Sequence, residues 1–170
     1  IAVPTSIFGG SVDDGNPTRH TVTFQIRKSG LSITSEVVAN QIVRPGETLD
    51  IPKVTLKDGK AFRGWYKTAL DALFDRKDKW DFTKPVEGDM VLYGEWSDSN
   101  DVYTVTYNTD GGTLAVTSQY VLKGESAPKP KDPVKDGYIF GGWYKNPAKT
   151  EKFDFNTEVI NSNTTIYALW

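Results

Sequence analysis

Two short segments of this chain carry nearly the same letters: residues 62–67 read FRGWYK and residues 140–145 read FGGWYK. Other landmarks recur in the same order, at an offset that drifts because the loops between them differ in length. The matched landmarks are Val22-Thr23-Phe24 with Val105-Thr106-Tyr107, Gly46-Glu47 with Gly124-Glu125, Asp58-Gly59 with Asp136-Gly137, Trp80-Asp81-Phe82 with Phe153-Asp154-Phe155, and residues 92–96 with residues 166–170. An internal repeat of this kind predicts two copies of one module.

The repeat divides the chain into three parts. Residues 1–18 are predicted to be a linker or the tail of an upstream domain, residues 19–97 form repeat module 1, and residues 102–170 form repeat module 2. Module 1 carries about five extra residues in each of two loops, an insertion that costs a folded module little. The polar segment between the modules is too short to let them tumble freely.

Each copy is predicted to be mainly β, with minor α. Tyr103, Val105 and Tyr107 alternate with threonines, which indicates a half-buried strand. The turn residues 110–112 lead into a predicted strand at 118–122. The proline-rich segment 127–133 is predicted to cross in extended form. Further strands are predicted at 138–145, 153–155 and 164–170, and a single short helix at 68–74.

Four of the five tryptophans fall at equivalent positions of the two copies, as Trp65 with Trp143 and Trp96 with Trp170. A module of this size has a poor surface-to-volume ratio, so buried aromatic side chains contribute much of its stability. We therefore interpret the repeated motif as a packed core rather than a sugar-binding platform. The neighbouring tyrosines, Tyr66 and Tyr144, point away from the tryptophans on an ideal strand, and they are the candidate ligand face.

No catalytic, cofactor-binding or metal-binding residue is predicted. His20 is the only histidine and has no counterpart in module 2, where Tyr103 stands at that position. The recurring pair Asp81 and Asp154 is interpreted as outward-facing strand residues. The oxygen-rich segments 13–16 and 98–101 do not follow the spacing of a calcium loop, and we interpret them as solvated linker.

Composition excludes several classes of protein. The chain has no cysteine, so disulfides and cysteine-based metal sites are excluded. The formal net charge of −2 gives no electrostatic reason to expect a nucleic-acid partner. No apolar run is long enough for a membrane helix.

Several separated stretches of module 2 carry a resemblance to a known family: YTVTYNTDGG, PKPKDPVKDGYIFGGWYKNP, KFDF and TIYALW. Each copy resembles the Listeria–Bacteroides repeat, the B-repeat of internalin B and other bacterial surface proteins. Module 1 departs from the pattern where Lys60-Ala61 replace Tyr138-Ile139. The resemblance implies a β-grasp-like module with a reduced helix, and it implies no catalytic residues.

From this resemblance we expect a non-enzymatic repeat region of a longer bacterial protein, extracellular and attached to the cell surface or cell wall. Its expected role is a spacer, with adhesion to a host or matrix protein as an addition. The alternative is a pair of carbohydrate-binding modules in a secreted glycan-processing protein, which would bind a surface glycan through exposed aromatic rings.

Overall fold

The computed structural model describes residues 18–27, 35–54, 60–74, 79–97 and 99–170. These residues form two four-stranded sheets, one in each copy, so the prediction of two tandem β modules with minor α is confirmed. The elements are β1 His20–Arg27, β2 Ser35–Val43, β3 Ala61–Tyr66, α1 Ala69–Phe74, β4 Met90–Ser97, β5 Val102–Asn108, β6 Ser118–Leu122, β7 Gly142–Tyr144 and β8 Thr164–Leu169.

The two sheets have the same topology. The strand order is β2-β1-β4-β3 in module 1 and β6-β5-β8-β7 in module 2. In both, the first and last strands of the module are the central pair, and they run parallel to each other. The outer strands pair antiparallel with them. The predicted strand at 118–122 and the short helix near 68–74 are confirmed.

The core of each module lies against one face of its sheet. Val22, Phe24 and Ile26 alternate along β1 as buried residues, as the period of two predicts. Module 2 repeats the arrangement with Val105 and Tyr107. Within the described part of the chain no helix is long and apolar enough to cross a lipid bilayer.

The repeated motif builds the same ladder of aromatic rings in both cores. In module 1 the ring of Trp65 packs 4.9 Å from Phe24 and 5.0 Å from Phe62, and Phe62 continues the ladder to Trp96 at 5.9 Å. In module 2 the ladder runs through Tyr107, Trp143, Phe140 and Trp170. The interpretation of the motif as a packed core is therefore confirmed.

A β-bulge explains how Phe62 and Trp65 reach the same side of a strand. The register between β3 and β4 shifts between Phe62 and Gly64, so the alternation of faces is broken there. Gly64 has a φ of +140°, and its counterpart Gly142 has a φ of +113°. Residues with a side chain rarely adopt these angles, which gives both copies a physical reason to carry glycine at this point.

Two predicted strands are wrong in extent or in type. The strand expected at 138–145 is reduced to β7, because β7 pairs Gly142 with Leu169 and the residues before Gly142 lie beyond the end of β8. The residues expected to form a strand at 153–155 instead lead into a turn at 155–157, although the Phe153 N–H donates to the Trp143 carbonyl at 2.9 Å. Asp154 accepts a hydrogen bond from the backbone N–H of Asn156 through its side chain, and local bonding of this kind replaces a strand ladder.

Candidate ligand-binding groove

The predicted ligand face is buried. Tyr66 is 0% exposed and Tyr144 is 8% exposed, so neither side chain presents a surface to solvent. In module 1 the helix α1 packs against β3, the strand that carries Tyr66. A ligand role for these two tyrosines stays a prediction, and their burial gives it no support.

The surface that combines aromatic and polar side chains lies instead between the modules. We call it the intermodule groove, a cavity of about 710 Å³. Its walls are residues 51–52, 62–65 and 79–83 of module 1 and residues 119–122, 125–129 and 152–156 of module 2. It is therefore a feature of the pair, and neither module forms it alone.

Two ion pairs join the modules beside the groove. Lys79 Nζ lies 2.9 Å from Glu125 Oε2, and Lys131 Nζ lies 3.5 Å from Asp50 Oδ1. All four side chains are partly exposed, so each pair contributes little to stability by itself. Both pairs nevertheless show that side chains of module 2 contact module 1 in this arrangement.

The recurring carboxylates Asp81 and Asp154 stand at the rim of the groove, in turns rather than in the strands that we expected. Asp81 Oδ1 accepts hydrogen bonds from the backbone N–H of Thr83 at 2.9 Å and from its hydroxyl at 2.6 Å. The hydroxyl bond holds the pKa of Asp81 below its usual value, and the positive charges of Lys84 and Lys129 lower it further. Lys129 belongs to module 2, so its charge acts across the groove.

A glutamine on the second strand of each module has a different environment in the two copies. In module 1, Gln41 clamps the backbone of Asp50. Its Nε2 donates to the Asp50 carbonyl at 2.8 Å, and its Oε1 accepts from the Asp50 N–H at 2.9 Å. In module 2, Gln119 occupies the same register, opposite Val105 as Gln41 is opposite Val22. The residue 78 positions after Asp50 (128 − 50) is Pro128, which has no N–H to donate.

In module 2 a tyrosine, and not the glutamine, donates the hydrogen bond to this backbone carbonyl. The hydroxyl of Tyr107 donates to the Pro128 carbonyl at 2.5 Å, whereas the equivalent residue of module 1 is Phe24, which has no hydroxyl. Burial raises the pKa of Tyr107 well above its ordinary value. Gln119 is left 8% exposed on the wall of the groove, and its Nε2 has no hydrogen-bond partner among the described residues.

The other candidate residues are not brought together. His20 Nδ1 lies 4.0 Å from Asp89 Oδ1 at the start of β1, and neither residue lines the groove. Across residues 18–27, 35–54, 60–74, 79–97 and 99–170, no group of three or more metal-ligating side chains is placed to hold a metal ion. The segment at 13–16 and residue 98 lie outside the described residues.

Sequence reasoning missed the groove, although one signal for it was present. Gln41-Ile42-Val43 recurs as Gln119-Tyr120-Val121 at the same offset as the other landmarks. A repeated polar residue flanked by apolar ones on a strand indicates a structural or binding role. The change of its partner from aspartate to proline then distinguishes the two copies.

Two copies of a small mixed-sheet module in series define a tandem-repeat protein. The chain matches the Listeria-Bacteroides repeat domain twice, at residues 20–95 and 103–169, and it belongs to that family.

Three similar proteins come from two bacteria. Internalin H of Listeria monocytogenes is 32% identical over 165 residues, which cover 95% of this chain and 27% of the relative. A protein of Evansella cellulosilytica is 36% identical over 154 residues, which cover 89% of this chain and 21% of the relative. Its name assigns it provisionally to the membrane. A Gly-rich protein of the same organism, also assigned provisionally to the membrane, is 34% identical over 154 residues, covering 89% of this chain and 16% of the relative. The chain thus spans about a quarter or less of the length of these relatives.

Proposed function

We propose that this chain is a non-enzymatic, force-bearing spacer of a bacterial cell-surface protein, which holds other domains away from the cell and contributes to adhesion. The relatives support a surface location, because one is an internalin and others are assigned to the membrane. The mixed sheets with a parallel central pair support the expected β-grasp-like fold.

The observation that carries the spacer role is the position of the first and last strands of each module. β1 runs parallel to β4 from Val22 opposite Met90 to Ile26 opposite Gly94. The chain enters at one end of this pair and leaves at the other. A force along the chain therefore loads all the hydrogen bonds between the two strands together, in shear, and does not peel them one at a time. Module 2 repeats the arrangement between β5 and β8.

The contacts between the modules support the same role. The ion pairs Lys79–Glu125 and Lys131–Asp50 link the two modules and favour their observed arrangement over a bent one. A spacer with this property keeps the domain it carries at a defined distance from the surface.

A display experiment tests the proposal. The chain is anchored on a Gram-positive cell surface with an epitope at its outer end, and it is compared with a version lacking residues 102–170. We expect antibody access to fall on deletion and to recover when an unrelated folded domain of equal size replaces module 2. Equal access for the full and shortened chains would contradict a spacer role.

The adhesive part of the proposal has its own readout in the same cells. Attachment to immobilised host matrix proteins should fall on deletion of module 2, and the unrelated domain should not restore it. If attachment is unchanged by the deletion, the chain is a spacer without an adhesive role.

A further inference from the structure

Two buried N–H groups of residues that line the intermodule groove, one from each module, lack an acceptor among the described residues. They are Nε2 of Gln119 from module 2 and the indole Nε1 of Trp80 from module 1. A buried donor without an acceptor is costly, and folded proteins contain few of them. The third such group, Nε1 of Trp143, does not line the groove. The groove thus concentrates unmatched donors.

The sequence of module 2 removes the partner that Gln119 would otherwise have. Gln41 uses both ends of its amide on the backbone of Asp50, but Pro128 offers Gln119 no N–H, and its carbonyl already accepts from Tyr107. Module 2 still carries a glutamine at this position, although Tyr107 bonds the Pro128 carbonyl there, as Gln41 bonds the Asp50 carbonyl in module 1. A buried side-chain amide without a partner still needs an acceptor, and a ligand oxygen that enters the groove can supply one.

The rest of the groove supplies the other parts of a carbohydrate site. The rings of Trp80, Tyr120 and Phe155 line it and are only partly buried, and aromatic faces of this kind stack against the apolar face of a sugar ring. The exposed carboxylates of Asp81 and Asp154 can accept hydrogen bonds from sugar hydroxyls. Lys67 Nζ lies 5.3 Å from the ring centre of Trp80, a cation–π contact that steadies the ring.

The charges that line the groove and the bonded edge of β3 argue against two classes of ligand, a polyanion and an added peptide strand. Four cationic and three anionic side chains line the groove, a near balance that does not favour a polyanion. The wall formed by β3 is already bonded, since the backbone N–H of Trp80 donates to the carbonyl of Trp65 at 2.7 Å. An added peptide strand cannot use that edge. The two donors without a partner belong to the side chains of Gln119 and Trp80, so each can bond to a single oxygen atom of a ligand.

We propose that the intermodule groove binds a neutral oligosaccharide, with Gln119 and Trp80 donating hydrogen bonds to its oxygen atoms. The site requires both modules in their observed arrangement. It goes beyond the spacer role and does not depend on it, because a spacer needs no ligand.

The test uses the full chain labelled with fluorotryptophan, in which each tryptophan gives its own ¹⁹F NMR signal. The probes are cellohexaose, chitohexaose, laminarihexaose and mannohexaose at millimolar concentration, with a heparin octasaccharide as the anionic comparison. The Trp80→Phe variant assigns the Trp80 signal, and phenylalanine is the residue that module 2 carries at the equivalent position, Phe153. We expect at least one neutral hexasaccharide to shift the Trp80 signal saturably, and the heparin fragment to leave it in place.

Two variants test the named donors, with affinity measured by isothermal titration calorimetry because Trp80→Phe removes the Trp80 ¹⁹F signal. Trp80→Phe keeps an aromatic ring but removes the indole N–H, and it should weaken binding by about fivefold to tenfold. The double variant Tyr107→Phe with Pro128→Asp gives module 2 the arrangement of module 1, so that Gln119 is engaged internally, and it should weaken binding to a similar extent. Tyr138→Ala removes an exposed ring outside the groove and should leave binding unchanged.

The ¹⁹F signals of the remaining tryptophans report whether each variant is folded. The proposal is overturned if no neutral hexasaccharide shifts the Trp80 signal, or if binding is the same in the wild type and in both variants. Tighter binding of the heparin fragment, or displacement of the sugar by an unstructured peptide, would assign the groove to a different ligand and also reject it. None of these results bears on the display experiment, so the two proposals fail separately.

Discussion

The substitution Tyr107→Phe tests the hydrogen bond that distinguishes module 2 from module 1. The Tyr107 hydroxyl donates to the Pro128 carbonyl at 2.5 Å from a buried position, and phenylalanine is what module 1 carries at the equivalent position. Near neutral pH the variant should lower the free energy of unfolding of module 2 by about 1–1.5 kcal/mol, the net value of such a bond.

At high pH the sign of the difference should reverse. Burial raises the pKa of Tyr107 in the folded state above its ordinary value of 10.0. Above that value the unfolded chain loses the phenolic proton while the folded chain keeps it, so unfolding releases a proton and rising pH favours unfolding. The wild type then loses up to about 1.4 kcal/mol per pH unit that the variant does not lose. The two stabilities should cross near pH 11, about one unit above the ordinary pKa.

The assay is urea unfolding at a series of pH values, followed by the ¹⁹F signal of fluorotryptophan at Trp143, which reports module 2. Tyr138→Phe is the matched control, because Tyr138 is 61% exposed and loss of its hydroxyl should leave the stability at neutral pH unchanged. A difference between wild type and Tyr107→Phe that stays constant through pH 11 would refute the reasoning. A variant more stable than the wild type at neutral pH would refute it too.

Two further perturbations test the core and the arrangement of the modules. Gly94→Ala should destabilise module 1 by about 1–3 kcal/mol in urea unfolding, because the new Cβ would lie 2.6 Å from a ring carbon of Phe62. Module 2 accommodates alanine at the equivalent Ala168, so a Gly94→Ala chain as stable as the wild type would mean that the two cores pack alike. Spin labels at Glu87→Cys and Asn161→Cys, one exposed site in each module of a chain without native cysteine, should give one narrow distance distribution. A broad distribution would show that the modules move independently.

Periodicity was sufficient to predict the strands that alternate regularly. β1, β5 and β6 follow the period of two, and the polar turn at 110–112 places the hairpin between β5 and β6. The helix α1 was also predictable from its composition, and the Thr68 hydroxyl caps it by accepting from the Asp71 N–H at 3.1 Å.

Local exceptions to the period explain the errors. The bulge before Gly64 sets Phe62 and Trp65 on one side of β3, which simple alternation does not allow. Asp81 and Asp154 lie between aromatic residues and look like strand positions, but their side chains bond to the backbone ahead and produce turns. These outcomes depend on competition between local hydrogen bonds and the sheet ladder, which the pattern of apolar residues does not record.

The groove lay beyond sequence reasoning for a different reason. It exists only where module 2 packs on module 1, and the residues that join them, such as Lys79 and Glu125, are ordinary surface residues by type. A comparison of the copies could identify Gln119 as a residue that has lost its partner. It could not place Gln119 and Trp80 in one groove, because that depends on the docking of the two modules.

The central claim, that each module is built to bear force along the chain, is tested most directly by single-molecule pulling in two geometries. Pulled from its two ends, the chain should show two unfolding steps, each releasing roughly 20–25 nm at about 0.36 nm per residue. Pulled through Val102→Cys and Leu122→Cys, at the paired ends of the β5–β6 hairpin, the hydrogen bonds between β5 and β6 should open one at a time and at a clearly lower force. Equal forces in the two geometries, or a lower force from the ends, would contradict the shear arrangement and the spacer role that rests on it.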